Sequence, residues 1–411
     1  MTSPSSLPVT WHLPDVPVLS LCGQVRVGAE TLLDELAKLA KLQTVCLPDA
    51  VAFYAGRMLE GLAANAMQAF RLRPAETVIE NLDALALTGR IDDGVLLCGH
   101  AIRRLANEAR HLERPISADE EATLVALLQI WIEWYLAAAP CAGDAHVPGW
   151  NDWSGRTPVL RSLACGTRDA ILALAAHNTL APLLADASTA AFAGERLIDC
   201  QAPNADAFTR AAIDRYPRNR RVVQVRALYF SRTGHIDQAV RLLLPLRNGN
   251  PRRLDAETVG ILGGAYKNKW MHTKNVRDLQ LACQTYGLTL PGASDSYYLM
   301  INVAATTLWL GNSADARGKA RATLDLLDQR GITPTLALEQ HVSYWMTATL
   351  AEALLLVGDS LNASMLYTKA KQLDSRGGQW SRTVSHLRLH LDRLKGMKNR
   401  ETLEELAFGT V

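Results

Sequence analysis

A chain of 411 residues with 48% hydrophobic and 20% charged residues has the composition of a globular protein, which argues against extended disorder. The formal net charge of only +2 gives the chain as a whole no preference for polyanions. The seven cysteines are scattered and never spaced as C-x-x-C, which argues against a disulfide framework or a zinc knuckle and favours reduced thiols in the cytoplasm.

The N-terminal part is predicted to be a short tail followed by helices. Residues 1–17 are rich in proline and serine and lack the basic and apolar stretches of a secretion signal, so we predict a disordered tail there. Apolar residues then recur at helical spacing through residues 18–139. Thr88-Gly89 has the pattern of a helix C-terminus, and Ser117 to Glu120 that of a capping box. We predict helices near 32–40, 49–72, 76–87 and 95–112, and a fifth that begins after Ser117.

The fifth helix tests whether the chain enters a membrane. Residues 122–139 are almost wholly apolar, and their number approaches that of a membrane span. Glu133 lies in the middle of the segment, and no basic flank marks a cytoplasmic side. We therefore predict a helix buried in an all-helical domain or in a dimer interface, and no membrane partner.

A loop rich in glycine and proline separates the N-terminal region from the rest. It covers residues 140–158, and a helical connector is predicted for 159–202. Within the loop, the segment GWNDWSGR offers a possible recognition surface for a sugar, a base or a peptide, made by Trp150, Asp152, Trp153 and Arg156. The alternative is an ordered loop whose tryptophans fill gaps between the two halves of the protein.

The second half carries a degenerate tetratricopeptide pattern. That repeat has a small residue at position 8, glycine at 15, alanine at 20 and a bulky residue at 24. Three copies match it: Ala227, Gly234, Ala239 and Leu243, with Pro251 following; Ala304, Gly311 and Ala316; and Ala351, Gly358, Ala363 and Tyr367. Because the copies are unevenly spaced, we expect inserted turns and lengthened helices. The predicted fold is all-α, a right-handed tetratricopeptide-like solenoid over 203–394, with a C-terminal tail over 395–411.

Three segments of this half resemble a known family. They are DAETVGILGGAYKNKW from Asp255, YYLMINVAA from Tyr297 and YWMTATLAEALLLVGD from Tyr344. Over about 204–394 they resemble the TRAFs-binding domain, the tetratricopeptide-containing regulatory region of apoptosis signal-regulating kinases, which also has many bacterial members. The resemblance includes the polar residues Glu257, Thr258, Tyr266, Lys267, Asn302 and Glu352. It implies a regulatory, protein-binding module in signalling assemblies, often beside stress or defence effectors in bacteria. The kinase motifs themselves are missing from this sequence.

Positive charge is concentrated in one part of the repeat region. Residues 215–277 hold fourteen basic side chains and three acidic ones, a net charge of +11. We call this segment the basic stripe. It is either a binding surface for nucleic acid, a nucleotide or an acidic peptide, or a solvated or intersubunit face. Candidate groove and stripe residues are Arg220, Arg221, Arg226, Tyr229, Tyr266, Lys267, Trp270 and Asn302. Asn302 is expected to form a hydrogen bond between neighbouring helices.

Signatures of catalysis are weak. His386 and His390 have the spacing of a metal-binding pair, but no H-E-x-x-H motif surrounds them, and we predict a surface helix face there. Cys98 with His100 and Cys141 with His146 lack an oxyanion signature. Because the sequence also lacks phosphate-binding loops and hydrolase elbows, we predict no catalytic residue, metal or cofactor.

The sequence therefore favours a non-enzymatic scaffold that binds a partner protein in a signalling or defence-type assembly. A sensor that binds nucleic acid or a nucleotide through the basic stripe is the alternative, and an enzyme with an unrecognised site is a third. A homo-oligomer is compatible with each of them.

Overall fold

The computed structural model describes residues 29–110, 114–138, 152–176, 181–248, 255–288, 296–339, 343–374 and 379–409. Across these ranges the secondary structure is helical, with no β-strand, which confirms the all-α prediction. The predicted tail over 1–17 lies outside the described residues, as do Trp150, Cys141 and His146. The contacts divide the chain into a first unit, residues 1–222, and a second unit, residues 223–411.

The first unit is built from nine α-helices and one short 3-10 helix (Ala181–Leu184) among its described residues. The α-helices are α1 (Ala29–Thr44), α2 (Pro48–Ala69), α3 (Val78–Leu87), α4 (Asp93–Arg110), α5 (Ala118–Ala138), α6 (Thr157–Cys165), α7 (Arg168–Ala176), α8 (Ala187–Asp199) and α9 (Ala205–Arg215). The predicted capping box is present, because Glu120 N donates to Ser117 Oγ at 3.2 Å and Ser117 N donates to Glu120 Oε2 at 3.1 Å. Gly89 follows α3 with a φ of 62°, as a glycine C-cap requires.

The apolar helix α5 is part of the core of the first unit. Its side chains from Thr123 to Ile132 are all buried, and it packs against α2, α4 and α6. Within the described part of the chain, no helix combines the length and the apolar character that a membrane crossing needs.

The second unit is a series of helical hairpins. Its helices are α10 (Arg220–Arg232), whose first three residues belong to the first unit, α11 (Ile236–Asn248), α12 (Ala256–Thr273), α13 (Val276–Tyr286), α14 (Tyr297–Trp309), α15 (Ser313–Gln329), α16 (Pro334–Glu339), α17 (Tyr344–Val357), α18 (Ser360–Leu373), α19 (Gln379–Arg393) and α20 (Arg400–Phe408). The three predicted repeat glycines, Gly234, Gly311 and Gly358, lie between the two helices of a hairpin with φ of 84°, 97° and 102°. Glycine takes this left-handed conformation without steric cost, so these positions set the turns.

A hairpin absent from the predicted pattern, α12–α13, fills the long interval between Gly234 and Gly311. Its turn is made by Lys274, which has a φ of 57° in place of a glycine. The shorter interval between Gly311 and Gly358 holds the extra helix α16. The uneven spacing of the repeats therefore arises from one whole hairpin and one short inserted helix.

The first helices of successive hairpins are α12, α14, α17 and α19. Helix α14 contacts each of the other three, and α17 contacts α19. We call the surface that these four helices share the inner face of the second unit. The predicted C-terminal tail over 395–411 differs from the structure, because it contains α20. Leu403 and Ala407 on this helix are buried, and that burial holds the segment in place.

Candidate functional site

A cluster of buried and half-buried polar side chains lies on the inner face of the second unit. It is made by Lys267 on α12, Asn302 on α14, Glu352 on α17, and His386 and His390 on α19. Each of four successive hairpins thus contributes to one group of ionisable and hydrogen-bonding atoms. Burying such groups costs free energy unless they are paired, so their partners decide what the cluster can do.

Lys267 occupies a position at which the other hairpins carry alanine. It lies seven residues before the left-handed residue of its turn, as Ala227, Ala304 and Ala351 do in theirs. The side chain is only 8% exposed, and Nζ donates to Asn302 Oδ1 at 2.8 Å. This interhelical bond is the one expected for Asn302, whose amide nitrogen also donates to the Tyr298 carbonyl at 2.8 Å. Burial lowers the pKa of the Lys267 amine to about 8, against the opposing charge of Glu352.

Glu352 is held between two imidazoles. Its Oε1 lies 2.7 Å from His390 Nε2 and 3.3 Å from His386 Nδ1. Burial alone would raise the pKa of the Glu352 carboxyl, but the hydrogen bonds from both histidines outweigh it and hold the pKa well below its usual range. The group is therefore an ionised acceptor, and the nitrogens that face it must be N–H donors.

The hydrogen bonds fix the tautomer of each histidine. His390 donates from Nε2, while its Nδ1 accepts from Trp309 Nε1 at 3.3 Å, so this ring is neutral. His386 donates from Nδ1, which leaves Nε2 as an acceptor. Burial, followed by the positive charge of Lys267, lowers the pKa of His386 to about 4. At neutral pH the cluster accordingly holds one ammonium, one carboxylate and two neutral imidazoles.

The predicted surface location of His386 and His390 is wrong. His390 is fully buried, and the His386 side chain is 20% exposed. The two rings point to the α17 carboxylate because the i, i+4 spacing places both on the side of α19 that faces α17. Among the described residues, no group of histidine, cysteine and acidic side chains has the arrangement of a metal site.

Tyr298 lies beside this cluster on α14 and is 46% exposed. Part of the side chain is buried, and this burial raises the pKa of its phenol. Its ring packs edge-on against Tyr286, with centroids 6.4 Å apart. The approach to α12 depends on Gly260, where a Cβ would lie 3.0 Å from the Tyr298 ring. Tyr298 is therefore an accessible aromatic side chain next to buried charges.

The basic stripe does not form a single solvated surface. Arg221 pairs with Glu195, and Lys269 Nζ contacts Asp237 Oδ1 at 2.7 Å. The buried Arg226 guanidinium lies 4.1 Å from the centre of the Phe230 ring and 5.1 Å from that of Tyr229. The number of basic residues along the sequence therefore overstates the positive charge that a ligand could contact.

The remaining groove candidates lie around the cluster. Arg220 lies at the first residue of α10 and is partly buried. Tyr266 and Trp270 on α12 are both buried, and Trp270 stacks on Trp309 with ring centres 5.4 Å apart. These two aromatic side chains pack in the hydrophobic core between the helices. Lys267 and Asn302 belong to the polar cluster.

The candidate recognition loop is tied to the first unit in the part that the structure describes. Trp153 is buried, and its backbone N–H donates to Gln129 Oε1 at 2.8 Å. Asp152 pairs with Arg161 at 2.9 Å, and Arg156 pairs with Asp119 and Asp186. These contacts favour the packing interpretation for the three residues.

The two cysteine–histidine pairs gain no support as reactive groups. Burial raises the pKa of the Cys98 thiol well above its usual range, which suppresses the thiolate. Burial also lowers the pKa of His100 well below its usual range. The other pair, Cys141 and His146, lies outside the described residues.

Comparison with protein families agrees with the repeat architecture over residues 203–308. A family model described as Tetratricopeptide Repeats-Sensor matches residues 203–308, about a quarter of the chain, and this segment includes Lys267 and Asn302. A thermophilic tetratricopeptide protein of Thermus thermophilus shares 17% sequence identity at a TM-score of 0.36, over 49% of this chain and 99% of that chain. No curated protein matches the sequence. The resemblance to the TRAFs-binding domain stays a prediction, whereas residues 203–308 are similar to tetratricopeptide sensor repeats within an all-α, tetratricopeptide-like solenoid.

Proposed function

We propose that this chain is a non-enzymatic regulatory scaffold whose second unit binds a partner protein on its inner face, in a signalling or defence-type assembly. The supporting observation is the position of Tyr298, an accessible aromatic side chain beside the Lys267–Glu352 cluster. Solenoids of stacked hairpins use such inner faces as extended binding surfaces, and tyrosine is enriched at protein interfaces.

Catalysis fits the cluster less well. A histidine oriented by a carboxylate is a common general base, and His386 with Glu352 has that connectivity. A general base works best with a pKa near the working pH, whereas the pKa of His386 is about 4. The imidazole is thus a weak proton acceptor at neutral pH, and a binding role suits it better.

The alternative of a nucleic-acid or nucleotide sensor depended on the basic stripe. Arg221, Arg226 and Lys269 within that stripe are paired or buried. This alternative therefore receives no support from their positions.

The proposal is tested by site-specific photo-cross-linking in the native host. A benzoylphenylalanine replaces Tyr298 in one version of the full chain and Met365 in another. Met365 lies on α18, which is the second helix of its hairpin and does not form the inner face. Its side chain is 46% exposed, as that of Tyr298 is. We expect one defined protein to cross-link through position 298 and not through position 365.

A competition experiment with unlabelled chain tests whether the cross-link is specific. Added wild-type chain should suppress the cross-link, and added Tyr298→Asp chain should not. Cross-linking through position 365 alone, or equal competition by both chains, would contradict the proposed role of the inner face.

A further inference from the structure

We propose that a cavity in the first unit binds a free α-amino acid with an apolar side chain and recognises both of its charged groups. The cavity belongs to the first unit, so this inference goes beyond the proposed function of the second unit and does not depend on it.

The cavity is bounded by α2, α4 and the start of α3. Its volume is about 250 Å³. Cavities that hold drug-sized ligands have volumes of roughly 300–1,000 Å³, so this one is of a size for a small metabolite. Helices α2 and α4 are in close contact beside it, because a Cβ at Gly56 would clash with that of Ala106. Both residues line the cavity, and its base is therefore closed by packed helices.

Part of the lining is apolar. Leu59 on α2 is fully buried, and Val78 and Ile79 in the first turn of α3 are half-buried. A hydrocarbon side chain placed against these residues would be removed from water, which favours binding. The lining therefore favours a ligand with an apolar portion.

The charges that line the cavity cancel. Arg103 and Arg110 lie on α4, whereas Glu60 lies on α2 and Glu76 lies just before α3. Positive and negative groups thus come from different parts of the lining. An anion or a cation would leave one pair of these groups without compensation, whereas a zwitterion presents a charge to each pair.

The donors for a carboxylate are Arg110 and Asn107, which lie three residues apart and therefore share one face of α4. The Arg110 guanidinium lies 5.7 Å from the centre of the Phe53 ring and forms no ion pair among the described residues. The side-chain amide of Asn107 has no hydrogen-bond partner in the same part of the chain. A guanidinium and an amide NH₂ together offer donors to both oxygens of a carboxylate.

The acceptors for an ammonium are Glu60 and Glu76. Both side chains are exposed, and neither forms an ion pair within the ranges that the structure describes. By contrast, Arg57 on the same helix as Glu60 pairs with Glu35. The two acids at the cavity are therefore available to a ligand. An ammonium has three N–H donors, which is sufficient for both carboxylates.

The test is isothermal titration of the full chain with leucine and with two analogues that each lack one charge. Isocaproate lacks the ammonium of leucine, and isoamylamine lacks its carboxylate. We expect leucine to bind about tenfold to a hundredfold more tightly than either analogue, because each analogue leaves one set of charged groups without its partner. Glycine lacks the hydrocarbon side chain and should also bind about tenfold more weakly than leucine.

Two substituted chains and one control assign the effect to residues. Arg110→Met should abolish the preference for leucine over isoamylamine and retain the preference over isocaproate. A chain with both Glu60→Gln and Glu76→Gln should show the opposite pattern. A structural effect of either change would instead weaken all the ligands together. Arg317→Met, which changes an exposed arginine on α15 of the second unit, should leave every affinity unchanged.

Several outcomes would overturn the proposal. The absence of leucine binding at millimolar concentrations would exclude the amino-acid site. Isocaproate or isoamylamine that binds as tightly as leucine would contradict recognition of a zwitterion, and glycine that does so would contradict the role of the apolar lining. Loss of both preferences in one variant, or their survival in both variants, would contradict the assignment of the charged groups.

Discussion

Each unit of this protein contains a buried polar cluster, and the two clusters differ in how completely they are paired. In the first unit, Arg156 binds Asp119 and Asp186, and Thr123 Oγ1 donates to Asp186 Oδ2 at 2.8 Å. Thr189 adds a backbone N–H bond of 2.8 Å to Asp186 Oδ1. Both carboxylate oxygens of Asp186 are therefore directed at donors of the protein.

The cluster of the second unit is paired only in part. Glu352 is engaged by two histidines, whereas Lys267 has a single acceptor and His386 has one unoccupied nitrogen among the described residues. A completed network fixes the positions of helices, and an incomplete one is able to gain free energy from a ligand. Pairing, more than burial, thus separates a structural cluster from a candidate site.

The largest expected effect comes from breaking the completed network. Asp186→Ala leaves Arg156 with Asp119 as its remaining carboxylate partner and removes the N-cap of α8. Removing one partner of a buried ion pair costs about 3–5 kcal/mol, so we expect a loss of this order in the unfolding free energy of the first unit. Hydrogen exchange of α8 peptides and urea unfolding would measure it.

Two further variants show how much of this loss comes from the charge of Asp186 and how much depends on burial of its ion pair. Asp186→Asn retains an oxygen for the α8 cap and should lose less stability than Asp186→Ala. Asp206→Ala removes an exposed i, i+4 partner of Arg210 and should change stability by less than about 1 kcal/mol. Similar losses in Asp186→Ala and Asp206→Ala would contradict the distinction between the two kinds of ion pair.

The second unit should respond to pH in the opposite sense from a protein stabilised by a paired lysine. The folded-state pKa of Lys267 is about 8, below the ordinary value of 10.5, so the unfolded chain binds more protons between these values. The unfolding free energy of the second unit should therefore rise with pH, by roughly 1.5 kcal/mol between pH 8 and 9.5.

The substitution Lys267→Met should remove this rise and leave the protein at least as stable at pH 7. Lys269→Met is the control, because the pKa of Lys269 is raised by its bond to Asp237. Urea unfolding of the three proteins at pH 7, 8 and 9.5 would compare them. A wild-type curve parallel to that of Lys267→Met would show that the ammonium of Lys267 is not destabilising.

Local patterns in the sequence were sufficient for the helices and insufficient for the clusters. The bounds of α2 to α5 follow from caps and prolines a few residues away, so they were predictable to within a few residues. The α12–α13 hairpin was missed because Lys274 replaces the turn glycine and Lys267 replaces the small residue of the repeat. The second of these departures, Lys267, also places an ammonium on the inner face.

Side-chain partners are distant in sequence, and this explains the other differences. Glu352 is 34 residues from His386 and 38 from His390, so their spacing on α19 gave no sign of the carboxylate between them. The basic stripe was misleading for the same reason, since Arg221 and Glu195 are 26 residues apart. Charge counts along a chain contain no information about which of the charges meet in the fold.

The smallest expected effect concerns the packing beneath Lys267. A Cβ at Gly263 would lie 2.7 to 2.9 Å from three atoms of the buried Tyr286 ring, and that ring lies 5.7 Å from Lys267 Nζ. Gly263→Ala should therefore displace the ring and lower the unfolding free energy by about 1 kcal/mol, after the better helix propensity of alanine is included. A Cβ at Gly318 on α15 would meet no atom within 4 Å. Gly318→Ala should therefore raise the unfolding free energy by about 0.5–1 kcal/mol. Hydrogen exchange of the α12–α13 and α15 peptides would report both changes. An equal gain of stability in both variants would mean that the ring of Tyr286 moves aside without cost.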